Sequence, residues 1–103
     1  MAYRIIWSPK AAAHLEGICE YIAQDSRQYA VIFAQQILRL VRLIADFPRS
    51  GRVVPEYNNV CLREKIHGNY RIVYRIKASE TVVEVAAICH SARQVRNVIV
   101  EDD

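Results

Sequence analysis

The residues able to do chemistry gather in the second half of the chain, and most of them are arginines. Two runs with alternating side chains, 60–66 and 70–77, carry Arg63, Lys65, Arg71, Arg75 and Lys77, and His90 with Arg93 follows a third run. Guanidinium forks suit phosphate or carboxylate partners, so this set could hold a phosphodiester while His90 moves a proton. The same residues also describe a solvated basic face with a histidine at a strand end, and spacing alone favours that reading. Of the tyrosines near that face, Tyr57, Tyr70 and Tyr74 could stack on bases, but the strand alternation puts Tyr70 and Tyr74 on the apolar side.

Other chemistries lack their residues. Phosphate-loop and dinucleotide glycine signatures are absent, as are His-Glu-x-x-His and Gly-x-Ser-x-Gly, and the chain has only 3 glycines. His14, His67 and His90 are too scattered to indicate a metal, and Cys19, Cys61 and Cys89 have neither zinc-ligand spacing nor an even count for a disulfide framework. No cofactor and no metal are therefore expected, and the cysteines read as small buried hydrophobes of a reducing compartment.

Charge is uneven along the chain. Residues 1–48 carry 5 basic and 4 acidic groups, residues 49–96 carry 9 and 4, and the last seven carry 0 and 3, for a net charge of +3. The positive field thus belongs to the second half. With 103 residues and 52% hydrophobic residues, a single domain over 1–103 is expected to fold. No stretch has the roughly 18 to 20 apolar residues of a membrane span, and the apolar run at the start ends by Trp7, so a soluble cytoplasmic protein without membrane contact is expected.

The elements that must position these residues follow from periodicity and caps. Residues 3–7 form a β-type run closed by Ser8-Pro9, an N-cap and a first-turn proline that start a helix to about Asp25. Ala11, Leu15, Ile18, Cys19 and Ile22 make its buried stripe. A second helix runs from about Arg27, capped by Asp25 or Ser26, to Phe47, where Pro48 and Gly51 stop it. It carries more apolar surface than one face needs, which describes either a helix sandwiched between its neighbour and a sheet or one with a groove left for a partner. The short link between them makes an antiparallel hairpin. Residues 48–59 read as one irregular segment, followed by strands 60–66, 70–77 and 81–89, the last apolar on nearly both faces and therefore central.

Register follows from matching apolar sides. A turn of Gly68-Asn69 alone sets Ile66 against Arg71, whereas a loop of His67-Gly68-Asn69 sets Ile66 against Tyr70 and Leu62 against Tyr74, so the longer loop is expected. Arg63, Lys65, Arg71, Arg75 and Lys77 then share one face, with Glu64 as the charged misfit on the apolar side. The architecture is α+β, a helical hairpin on a small, mainly antiparallel sheet that the first strand must join.

Several fragments in this order resemble a known family. Trp7-Ser8-Pro9, Tyr21-Ile22-Ala23, Phe47-Pro48, Gly51-Arg52-x-Val54-Pro55-Glu56, Leu62-Arg63-Glu64, Gly68-Asn69-Tyr70-Arg71-Ile72-Val73-Tyr74-Arg75-Ile76 and His90-x-x-Arg93 are similar to the ParE branch of the RelE/ParE toxin superfamily. The resemblance implies a β-α-α-β-β-β toxin of a bacterial type II toxin-antitoxin pair, held inactive by a cognate antitoxin. ParE-like members are associated with poisoning DNA gyrase, and RelE-like members with cutting messenger RNA on the ribosome; a shared fold does not choose between them.

The residues carried over lean toward the gyrase branch. For RNA cleavage the matching groups are His90, Arg93, Arg71, Arg63 and Lys65, but the C-terminal tyrosine of the RelE type is absent, since no tyrosine follows Tyr74. Gyrase inhibition, by binding rather than catalysis, is the expected activity, with mRNA cleavage the runner-up and a degenerate toxin that only binds antitoxin the third reading. Partner contacts are expected at Arg52, Arg63, Arg71, Arg75, Arg93 and Arg96 and at Leu40 and Leu43 of the second helix. The antitoxin would lay an amphipathic segment over apolar surface and place carboxylates near the arginines.

Overall fold

The computed structural model describes residues 2–92 and Val95. Ser8 starts the first helix by accepting the Ala11 N–H at 3.0 Å, and Pro9 sits where its missing N–H costs nothing. Ser26 starts the second by accepting the Tyr29 N–H at 3.0 Å. The elements are β1 (Arg4–Trp7), α1 (Pro9–Ala23), α2 (Arg27–Asp46), β2 (Arg52–Val53), β3 (Leu62–His67), β4 (Tyr70–Lys77) and β5 (Val82–His90). The sheet order is β1-β5-β4-β3-β2, parallel at β1–β5 and antiparallel elsewhere. None of the described helices is long and apolar enough to cross a membrane.

The helical hairpin covers one sheet face. Phe33, Ile37, Val41 and Ile44 of α2 meet Ile72, Tyr74 and Ile76 of β4 and Val83, Val85 and Ile88 of β5 in the main core. At the bulge in β5, the Ser8 hydroxyl that caps α1 also donates to the Ala86 carbonyl at 3.1 Å, tying the helix start to the central strand.

Two expectations are corrected. The segment 48–59 is not wholly irregular, because Arg52–Val53 pairs with Arg63 and Glu64 as an edge strand. The hairpin uses the shorter turn: His67 pairs with Tyr70, Ile66 with Arg71 and Leu62 with Arg75. Gly68 has φ +58, a left-handed conformation that glycine takes without a Cβ penalty. Matching apolar sides misled because both faces of this sheet are covered. Val54, Leu62, Val73, Ala87, Cys89 and Val95 form a second core on the face away from the helices, and Glu64 and Arg71 are buried on that side. Arg63 and Lys65 consequently lie on the helix-facing side of β3, and Arg71 and Arg75 on the other side of β4, so the expected common basic face does not form.

The chain between α2 and β2 is fastened to β4 by Tyr74, which is fully buried. Its hydroxyl donates to the Pro48 carbonyl at 2.6 Å and accepts the Gly51 N–H at 3.0 Å, and burial pushes its pKa up. A Cβ on Gly51 would stand 2.5 Å from that oxygen and 2.6 Å from the Glu64 carbonyl oxygen. Gly51→Ala should therefore destabilise the protein by about 1–3 kcal/mol in urea unfolding, the usual cost of overpacking. In a Tyr74→Phe background, which removes the nearest atom, the same substitution should cost less; equal costs in both backgrounds would refute the steric account.

Candidate functional site

The charged centre of the molecule is Arg71, whose side chain is only 6% exposed. An arginine taken out of water needs carboxylates on its whole fork, and it has them. Its Nε donates to Glu64 Oε1 at 2.6 Å, and Nη2 and Nη1 donate to Glu56 Oε1 and Oε2 at 2.9 and 3.0 Å. Glu64, with a fully buried side chain, uses its second oxygen to accept from Arg52 Nε at 2.5 Å, and Glu56 Oε2 also accepts the Val95 N–H at 3.1 Å. The hydrogen bonds from Arg71 hold the Glu56 carboxyl down at about 2, against the upward push of burial and with help from the Val95 N–H. Arg71 in turn is held protonated more firmly than an ordinary arginine, chiefly by Glu56 and then by Glu64.

This network joins β2, the loop after it, β3, β4 and Val95. Two arginines and two carboxylates sum to no net charge. Arg71 gives its Nε–H and one N–H of each Nη to carboxylates and is only 6% exposed, so it presents little of its fork to a phosphodiester.

The other expected residues are dispersed. Arg63 serves as a clamp, donating from Nε to the Val60 carbonyl at 2.9 Å and from Nη1 to the carbonyls of Gly51 and Arg49 at 3.0 and 3.3 Å. Lys65 is half-buried on the same side, and Arg75 is half-buried opposite Glu84. Arg52 is 62% exposed at its side chain but ion-paired. Leu40 is half-buried against the main core, and Leu43 is exposed. Arg93 and Arg96 lie outside the described residues.

His90 ends β5 on the face opposite Arg71, exposed, with its ring centroid 6.0 Å from that of Tyr70 and Nδ1 accepting the Ala92 N–H at 3.2 Å. It borders a cleft of about 390 Å³ that His14, Gly17, Ile18, Tyr21 and Tyr70 also line, and among the described residues no lysine or arginine lines that cleft. His90 and Arg71 thus lie on different faces of the sheet, while Arg63 and Lys65 share the face of His90. Among the described residues no group of histidine, cysteine and carboxylate side chains could hold a metal.

Sequence reasoning missed Glu56 and the role of Glu64. The available signal was Glu64 itself, a carboxylate among apolar alternating positions, which marks a buried charge whose partner must come from elsewhere.

Comparison with known proteins places this geometry. The chain matches, over residues 5–95, the family described as the ParE toxin of type II toxin-antitoxin system, parDE. Among solved structures it is similar to a chromosomal ParDE toxin-antitoxin system from P. aeruginosa, with a TM-score of 0.69 and 20% identity over 86% of this chain and 96% of that one. The RelBE2 toxin-antitoxin complex from Mycobacterium tuberculosis follows with a TM-score of 0.58 and 18% identity, covering 87% of this chain and 99% of that one. The isolated E. coli RelE toxin has a TM-score of 0.65 and 16% identity, with 89% and 87% covered. At these identities the structures speak for the fold. No curated protein matches the chain in sequence.

The network predicts how the protein responds to acid. Because the Glu56 pKa is lowered from 4.5 to about 2, its stabilising contribution is complete above the ordinary carboxylate range and is lost as pH falls from about 4.5 through about 2. Glu56→Gln should remove that part of the acid transition and destabilise the protein at neutral pH by about 3 kcal/mol, the cost of removing one partner of a buried ion pair. It should also free the backbone at Val95. With Cys19→Ser and Cys61→Ser as background, the Cys89 thiol in the second core should then react with maleimide about tenfold faster, as expected for loss of a charge-assisted hydrogen bond of ~1.5 kcal/mol. Unchanged acid stability and labelling would remove Glu56 from this role.

Proposed function

We propose, from the premise that this chain belongs to the ParE toxins of type II toxin-antitoxin systems, that it acts by binding and inhibiting bacterial DNA gyrase and is neutralised by a cognate antitoxin in the cytoplasm. The observation that carries the choice against RNA cleavage is the state of Arg71. A nuclease needs cations at the scissile phosphate and a proton carrier within hydrogen-bond reach of the same atoms. Here the arginine best placed in sequence for that work is buried and paired with Glu56 and Glu64, Arg63 donates to backbone carbonyls, and His90 stands on the other side of the sheet from Arg71.

A gyrase inhibitor makes no such demand, since it needs a surface and not a converging acid, base and phosphate clamp. The match to the ParE family and the similarity to a ParDE system support the same branch.

Purified toxin should block supercoiling by gyrase and trap cleaved DNA, while leaving translated messenger RNA intact. His90→Ala should not change the inhibition. RNA cutting that disappears in His90→Ala, with supercoiling untouched, would overturn the proposal in favour of a ribonuclease. Antitoxin binding without either activity would identify a degenerate toxin.

A further inference from the structure

Strand β5 runs on after β1 has stopped. Trp7, the last residue of β1, stands opposite Val85, so residues 86–90 have no described strand on that side. Side chains from the start of α1 take the missing strand's place. The Ser8 hydroxyl donates to the Ala86 carbonyl at 3.1 Å, and the Ile88 N–H donates to His14 Nδ1 at 3.2 Å. Ile88 is only 2% exposed, so its N–H needs that acceptor.

This bond fixes where the imidazole keeps its hydrogen. A ring nitrogen that accepts carries none, so His14 is neutral with its hydrogen on Nε2. His90, which lines the same cleft, is held alike, its Nδ1 accepting the Ala92 N–H at 3.2 Å. Protonation removes both acceptors and puts two like charges into one cleft. The other titratable groups lining it are Tyr21, Tyr70 and Cys89, and among the described residues no carboxylate and no residue of β1 or α2 lines it. On α1 itself, Lys10 precedes His14 by one turn and adds positive charge, whereas neither Glu16 nor Glu20 is three or four residues from His14. His67 is the contrasting case. Its Nε2 lies 3.0 Å from Gln36 Oε1, which can only accept, so that bond survives protonation.

We propose that His14 is a pH-operated latch that holds α1 against the far end of β5 while it is neutral and releases it in mild acid, with His90 adding the like charge that drives the cleft open. The closed form keeps a proton off Nδ1 and the released form does not, so falling pH favours release. The proton taken up is a histidine's, whose ordinary value is about 6.5. Glu56 is protonated only below the ordinary carboxylate range, so the two acid responses are separate. The latch is independent of what the toxin binds.

The test is made on the full chain. Nitrogen NMR spectra of the imidazoles at about pH 7 should show Nδ1 without hydrogen in His14 and His90; a hydrogen on Nδ1 of His14 would overturn the latch without any variant. Amide hydrogen exchange, corrected for the intrinsic effect of pH, is then compared at about pH 7 and about pH 5. Protection of the Ile88 amide should fall about tenfold, the weight of one hydrogen bond. The Ile76 amide, which donates to the Cys61 carbonyl at 2.8 Å, should keep its protection. His14→Asn, whose side-chain oxygen accepts in place of Nδ1 and does not titrate, should keep Ile88 protected at both pH values, and His14→Leu should leave it weakly protected at both. His90→Ala should shrink the fall, and an undiminished fall would strike His90 from the proposal. Circular dichroism checks that each variant folds. Equal protection of Ile88 at the two pH values in the wild type, or a pH response that persists in His14→Asn, refutes the latch.

Discussion

A guanidinium buried between two strands and a loop organises the half of this molecule that lies away from the helices. Arg71 is taken almost wholly out of water, at a desolvation cost of several kcal/mol, and stays charged because Glu64 and Glu56 occupy its fork. One carboxylate comes from the neighbouring strand and the other from the loop after β2. The pair thereby fixes which residues of β3 and β4 stand opposite each other and draws the loop across the sheet. Glu56 then accepts the Val95 N–H, so the same carboxylate holds Val95 in the second core.

With the network in place, the sheet is covered on both faces. The helices close one with a large aliphatic and aromatic core, and the other is closed by Val54, Leu62, Val73, Ala87, Cys89 and Val95. Tyr74 connects the two sides of this arrangement: its ring belongs to the helix-side core, and its hydroxyl fastens the chain that leads into β2. Gly51 is required there because the backbone passes too close to Tyr74 and Glu64 for any Cβ.

The functional consequence is a separation of chemistries. Strand alternation sends Arg63 and Lys65 to one side and Arg71 and Arg75 to the other; buried Arg71 is held by its carboxylates and half-buried Arg63 by backbone carbonyls. The imidazoles of His14 and His90 line one cleft, in which no lysine or arginine stands among the described residues. Among the described residues Arg39 and Arg42 of α2 take part in no ion pair and lie beside the exposed Leu43.

Local chemistry alone determined the helices. Ser8-Pro9 and Ser26 cap them where the sequence places caps, apolar spacing identifies their buried stripes, and the short link forces a hairpin. Alternation located β4 and, within about two residues, β3 and β5, and the order of fragments identified the family. Tertiary structure decided the register, the added edge strand and the fate of the arginines. Alternation says which side chains share a face but not how many faces are buried, and a sheet covered on both sides makes an apolar match ambiguous by one residue. The partners that resolve it, Glu56 and Glu64, lie 15 and 7 residues from Arg71 along the chain. Burial of a charge is a property of the packed whole, so only the folded chain could show that Arg71 is an internal strut and not an exposed hand.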